Sequence, residues 1–359
     1  MKYLSKKKLN YIIYMISVVV LIFIAFDLYL TLRIHNELGK MASKPGRWPA
    51  GSYVYDKEIG FDFATNISNY IQDSSFYVKS HQLGYRIGKH EDSVSNQPGG
   101  ILSLGCSLTY GDEVESEQTF TQLIADSLNI PAYNYGVCSF SYIHALLKAK
   151  KLVAQGVVEK LQPEYVILGC WKGLLNRSRS PFPPIASKNI PLTAAYLVNG
   201  EDSLKIEYPL SARQFFELGT MYRRDGPELS LDKFTKIFTS VPRFVYIYLK
   251  NNRLTKKMRG YNSVNKVSDY DVYNFYFSGI EDIFSSSKTR IIVLFMPVNI
   301  KDKPDKALIK AMADHPEIIF VDGLQAVKKY KAPVTSYRGK HPQPEAHNAY
   351  ALETLDLLK

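Results

Sequence analysis

The sequence predicts an α/β protein: a three-layer sandwich built on a five-stranded parallel sheet, behind one N-terminal transmembrane helix. Short and nearly unbroken apolar runs recur at 101–104, 132–137, 165–168, 291–295 and 318–321, with helically spaced segments between them. Strands of that kind are buried on both faces, as in a parallel sheet covered by helices. Ahead of them, Tyr11–Leu32 (YIIYMISVVVLIFIAFDLYLTL) is 22 residues long with Asp27 as its one charge. A helix of that length spans about 33 Å, against a bilayer core of about 30 Å.

Lys2, Lys6, Lys7 and Lys8 precede this run and the single Arg33 follows it. That asymmetry puts the N-terminus in the cytoplasm and the bulk of the chain, from about residue 36, in the periplasm or outside the cell. The alternative is a cleaved signal peptide over Tyr11–Phe26, but no small-x-small cleavage site follows. The expectation is therefore a single-pass protein of a cell inner membrane or plasma membrane. Its outward placement excludes nucleic acid as a partner. The net charge of +11 over 359 residues suits anionic glycans or lipid head groups, or marks only a solvated face.

Residues 1–35 thus form a cytoplasmic tail and anchor, and 36–97 a linker and N-terminal extension with weak strand signals and a turn at Leu83–Arg86. Pro98-Gly99-Gly100 then punctuates the chain before the main domain at 98–358. There Ile101–Leu104 is a strand, Thr119–Leu128 a helix, Ala132–Val137 a strand and Ser141–Gly156 a helix. Tyr165–Leu168, Ile291–Phe295 and Ile318–Val321 complete the sheet, with helices at Lys306–Asp314 and Glu345–Leu358. Residues 177–266 interrupt the rhythm as an inserted subdomain, with a hairpin turning at Asn199-Gly200 and two or three amphipathic helices.

The chemistry centres on "ILSLGCSLTYG". In an open parallel sheet, ligands bind beyond the carboxyl ends of the strands, and Ser107 follows the first core strand at once. A serine hydroxyl needs a base within hydrogen-bond reach, usually histidine. Of the seven histidines, His341 stands in a proline-stiffened loop before the last helix and can reach the same edge. His347 falls at the helix start, where it packs or caps. His144 lies on a helix, and His35, His81, His90 and His315 lie in loop or linker contexts.

These segments resemble the SGNH, or GDSL-like, hydrolase family over about residues 53–358. "ILSLGCSLTYGDEVESEQTFTQLIAD" is similar to the family's first block, with Cys106 at the aspartate position and Ser107 at the nucleophile position. "KSHQLGYRIG" resembles the Asn-x-x-Gly-phe/tyr-Arg segment ahead of that block. "AYNYGVCSFS" resembles the second block, making Gly136 and Ser139 oxyanion candidates beside the N–H of Ser107. "HPQPEAHNAYA" resembles the last block and puts His341 at the base position. The resemblance implies a flavodoxin-like strand order of 2-1-3-4-5 and no cofactor, and no Cys-x-x-Cys or paired His spacing supports a metal site.

Two departures stand out. The family's last block carries an aspartate just before the histidine, where this chain has Arg338 and Gly339. The third block usually offers an oxyanion-donating Asn, where "ILGCWKGLLNRSRS" places Trp171 and Leu174 and leaves Asn176 as the substitute. The implied activity is a membrane-anchored serine esterase or O-acyltransferase acting on an ester-bearing glycan, such as one with O-acetyl groups, or on a small ester substrate. The alternative is a catalytically impaired scaffold that binds glycan or supports an envelope assembly. Tyr222, Arg223 and Arg224 in the insertion are glycan contacts or a plain helix surface. Cys106, Cys138 and Cys170 each follow a strand end; they are buried small hydrophobes, or two of them form a disulfide, or Cys106 attacks in place of Ser107.

Overall fold

The computed structural model describes residues 6–42, 52–70, 76–90, 97–179, 195–201, 203–208, 217, 221, 228–240, 267–335 and 341–359. The chain divides into two compact units, one of 1–45, 188–191 and 213–263, the other of 46–187, 192–212 and 264–359. In the first, α1 (Lys6–Ala42) carries the apolar run as one continuous helix. Its stretch 7–36 is long and apolar enough to cross a membrane, with Leu21 64% and Phe23 67% exposed. The helix runs on to Ala42, past His35, where the sequence suggested a linker. Leu30, Thr31 and Ile34 are buried, and the helix Leu231–Ser240 of the same unit packs against α1.

The second unit opens with a hairpin of β1 (Tyr53–Asp56) and β2 (Gly60–Phe63), followed by the short strands β3 (Ser68–Tyr70), β4 (Tyr77–Ser80) and β5 (Arg86–Ile87). Then come β6 (Ile101–Leu104), α2 (Ser107–Tyr110), α3 (Phe120–Leu128), β7 (Ala132–Asn134), α4 (Tyr142–Ala154), α5 (Val157–Leu161), β8 (Tyr165–Cys170) and α6 (Gly173–Ser178). The expected hairpin is present as β9 (Tyr196–Asn199) and β10 (Leu204–Glu207), registered Asn199 to Leu204. After α7 (Leu231–Ser240), the chain resumes with α8 (Asp269–Phe284), β11 (Arg290–Phe295), α9 (Lys306–Asp314), β12 (Ile319–Asp322), α10 (Gly323–Lys329) and α11 (Pro344–Leu358).

One eight-stranded sheet runs β12-β11-β8-β6-β7-β5-β4-β3. Its five core strands pair in parallel, and numbered among themselves they stand in the order 2-1-3-4-5. The correction lies at the β7 edge. There β5, β4 and β3 add on antiparallel, so the sheet is mixed and larger than five strands. These strands cover the edge that β7 would otherwise expose for pairing with another chain. Helices α3, α10 and α11 pack together, as do α4, α8 and α9, which gives the two helical layers.

Local chemistry fixes the helix starts. Thr119, Ser141, Ser268, Asp305 and Asp322 each accept a first-turn N–H at α3, α4, α8, α9 and α10. Pro344 opens α11, where its missing N–H costs nothing. The β1–β2 hairpin docks on α4 through a buried ion pair, Lys148 Nζ to Asp62 Oδ2 at 2.6 Å, and through Lys151 with Asp56. Phe61 packs on Phe140 and Phe63 on Tyr110, so the hairpin braces both loops that form the site.

Candidate active site

The four residues of β6 are wholly buried, and the chain leaves them through a turn that only glycine fits. Gly105 has φ +155, and a Cβ there would lie 2.2 Å from Thr109 Oγ1. Cys106 is extended, and Ser107 then begins the one-turn helix α2. The Ser107 carbonyl accepts the N–H groups of both Gly111 and Asp112, which curls the following turn back under the serine.

His341 arrives from 234 residues later in the sequence, just ahead of α11. Its Nε2 lies 3.0 Å from Ser107 Oγ. The two candidate residues therefore meet at the carboxyl rim of the parallel sheet, and the ring is only 18% exposed. Two carboxylates flank the imidazole. Glu113 Oε1 lies 3.4 Å from Nδ1, on the side away from the serine. Asp112 Oδ2 lies 3.5 Å from Nε2, on the serine side. Glu113 has φ +84, a left-handed conformation that costs a non-glycine residue about 1–2 kcal/mol. Arg338 and Gly339 lie outside the described residues, as do Tyr222, Arg223 and Arg224.

Arg86 sits beneath this turn, 4% exposed. Its guanidinium donates to the carbonyls of Tyr110 and Gly111 at 2.6 and 2.8 Å and of Val114 at 2.6 Å. It also stacks on the Tyr110 ring at 4.5 Å. A planar fork offers donors in fixed directions from two separated nitrogens, Nη1 to Tyr110 and Gly111 and Nη2 to Val114, a spread that the single nitrogen of an ammonium lacks. Arg86 thus pins the segment bearing Asp112 and Glu113. The sequence offered the residue, within "KSHQLGYRIG", but nothing in its spacing revealed the task.

The loop after β7 differs from expectation. The strand ends at Asn134 rather than Val137, because Asn134 Oδ1 captures the Gly136 N–H at 3.0 Å. The same amide donates 2.9 Å to the Thr109 carbonyl, tying this loop to the nucleophile turn. Gly136 is therefore corrected as an oxyanion donor: its N–H is already committed. Its lack of a side chain serves close packing, since a Cβ would meet Tyr110 N at 2.4 Å. Ser139 is different. It has φ +75 and is 5% exposed, and its N–H, like that of Ser107, has no acceptor among the described residues. The Val137 N–H donates to Gly105 O at 3.1 Å, which holds the loop against the serine turn.

From the other side, α6 braces the same loop. Arg177 donates 3.2 Å to Phe140 O, and Ser178 Oγ accepts the Tyr142 N–H at 3.2 Å. Asn176 is exposed on α6, and no hydrogen bond joins it to Ser107 or His341 among the described residues. Leu174 is buried.

The remaining candidates settle plainly. All three cysteines are buried and none forms a disulfide, so the disulfide alternative is corrected. Burial, with Asp305 and Cys106 adding to it against a Tyr142 hydrogen bond, pushes the Cys170 thiol up to about 12. His347 accepts the Phe120 N–H on Nδ1 at 3.2 Å and so caps α3. His144 completes the capping box of α4.

No protein-family model matches the sequence, and no curated protein matches it. Solved structures similar to it include a member of the lipolytic protein G-D-S-L family from Veillonella parvula DSM 2008. That likeness has 13% identity and TM-score 0.36, covering 72% of this chain and 97% of that one. The acetyl xylan esterase Est2A of Butyrivibrio proteoclasticus has 10% identity and TM-score 0.37, covering 75% and 64%. A catalytic variant of the acetylxylan esterase Axe2 from Geobacillus stearothermophilus has 13% identity and TM-score 0.35, covering 73% and 95%. The chain is similar in fold to lipolytic proteins of the G-D-S-L family and to acetyl xylan esterases.

Proposed function

We propose that the protein is a membrane-anchored, outward-facing serine esterase or O-acyltransferase. The observation that carries this reading is the 3.0 Å approach of His341 Nε2 to Ser107 Oγ. Neutral His341 takes the hydroxyl proton on Nε2 while Oγ bonds to the ester carbonyl carbon. The tetrahedral intermediate collapses by breaking the carbon–oxygen bond to the alcohol, which leaves with the proton from Nε2. Water, or an acceptor hydroxyl, then attacks the acyl-serine with the same proton relay. The N–H groups of Ser107 and Ser139 are the donors for the oxyanion, with Asn176 the remaining side-chain candidate.

The substrate class proposed is an ester, such as an O-acetyl group, on a cell-envelope or exported glycan. The apolar N-terminal helix and the basic charge of the chain support that choice. The test is turnover of a small nitrophenyl ester by the full-length protein. Ser107→Ala and His341→Ala should each lower kcat by at least about a thousandfold. Equal rates in the wild type and both variants would remove the enzyme and leave a glycan-binding module.

A further inference from the structure

The last block of this chain lacks the acid that would steady its histidine, and a carboxylate arrives from elsewhere. We infer that Glu113, six residues after the nucleophile, is the positioning residue that fixes the tautomer of His341. This rests on reading Ser107 and His341 as nucleophile and base. Three independent features point the same way. Glu113 Oε1 stands 3.4 Å from Nδ1, the nitrogen facing away from the serine. Its backbone is held at φ +84, where glycine is the ordinary occupant. The carbonyls of Gly111 and Val114 on either side of the Asp112–Glu113 pair are both gripped by the buried Arg86. A strained position braced in this way is expected where its side chain has a task.

The two flanking carboxylates pull the imidazole in opposite directions. A carboxylate at Nδ1 holds the proton there and leaves the Nε2 lone pair aimed at Ser107 Oγ, as a general base requires. A carboxylate at Nε2 favours the other tautomer, which cannot accept the serine proton. Asp112, 3.5 Å from Nε2, is in that second position. During attack Nε2 gains the hydroxyl proton and Nδ1 keeps its own, so Glu113 stays ionised and faces an imidazolium. Separations near 3.4 Å in a free enzyme shorten when that charge develops. Among the described residues, Arg86 on β5 and His341 both act on His347 of α11, and Arg86, Cys138 and Asp112 act on Tyr110.

The test is nitrogen-15 NMR of the full-length protein, labelled at histidine and held in detergent, with His341 assigned by its loss in His341→Gln. Wild-type His341 should be mainly the Nδ1–H tautomer. Glu113→Gly, which suits φ +84 and so keeps the fold, should move most of the population to Nε2–H, whereas Asp112→Asn should deepen the Nδ1–H preference. Ester turnover should fall about a hundred- to ten-thousandfold in Glu113→Gly through kcat, while its melting temperature is unchanged or higher. Glu113→Asp should recover part of the loss. An unchanged His341 tautomer in Glu113→Gly overturns the inference, whether or not the wild type turns over an ester. A tautomer shift with no wild-type turnover overturns the esterase reading instead.

Discussion

At the scale of single residues, the site is a set of carbonyls and amides held by two buried side chains. Arg86 gathers the carbonyls of Tyr110, Gly111 and Val114, and Asn134 links Gly136 to Thr109. Arg86→Ala strands those carbonyls and opens a cavity under the serine turn. It should lower unfolding stability by at least about 3 kcal/mol, read as the midpoint in urea. Arg86→Lys should recover little, because an ammonium cannot span the fork; near-complete recovery would show that charge alone mattered. Ser107 and His341 were singled out by the resemblance of their segments to the family's first and last blocks, since position alone marks a serine after a strand more often as a helix cap. Glu113 was not, since its left-handed position ordinarily carries glycine and a glutamate gives no sign of it. Gly136 was misjudged because its neighbour Asn134 competes for the same N–H.

At the scale of elements, two helix starts depend on histidines that burial keeps neutral. His144 at α4 is lowered to about 3 by burial and by Arg177. His347, which caps α3, is lowered to about 3 by burial, Arg86 and His341. Unfolding returns each imidazole to about 6.5, so below that pH the unfolded chain binds more protons than the folded one. The stability held above about pH 6.5 is therefore lost as pH falls towards 3, at up to about 1.4 kcal/mol per pH unit for each histidine. Urea midpoints at pH 7, 6 and 5 should show this slope, and His347→Gln should reduce it by about half. A slope unchanged by that substitution would remove His347 from the account. The five parallel strands were readable because their apolar runs are nearly unbroken, although β7 stops at Asn134. The antiparallel β3, β4 and β5 were not, being two to four residues long and including the buried Arg86.

At the scale of the whole molecule, the proposed outward orientation rests on the apolar helix α1 and the lysines ahead of it. A reporter phosphatase fused after Lys359 should be active and a fluorescent reporter at the same point dark, as for a chain whose C-terminus lies outside the cytoplasm. The opposite pair of results would place the site in the cytoplasm and remove the envelope glycan as substrate. The enzyme itself is tested most directly by reacting the full-length protein with a serine-directed phosphonate and locating the adduct by mass spectrometry. A single adduct on Ser107, absent from the Ser107→Ala variant and strongly slowed in His341→Ala, is the predicted result. No adduct on Ser107, or labelling that proceeds equally well without His341, would contradict it.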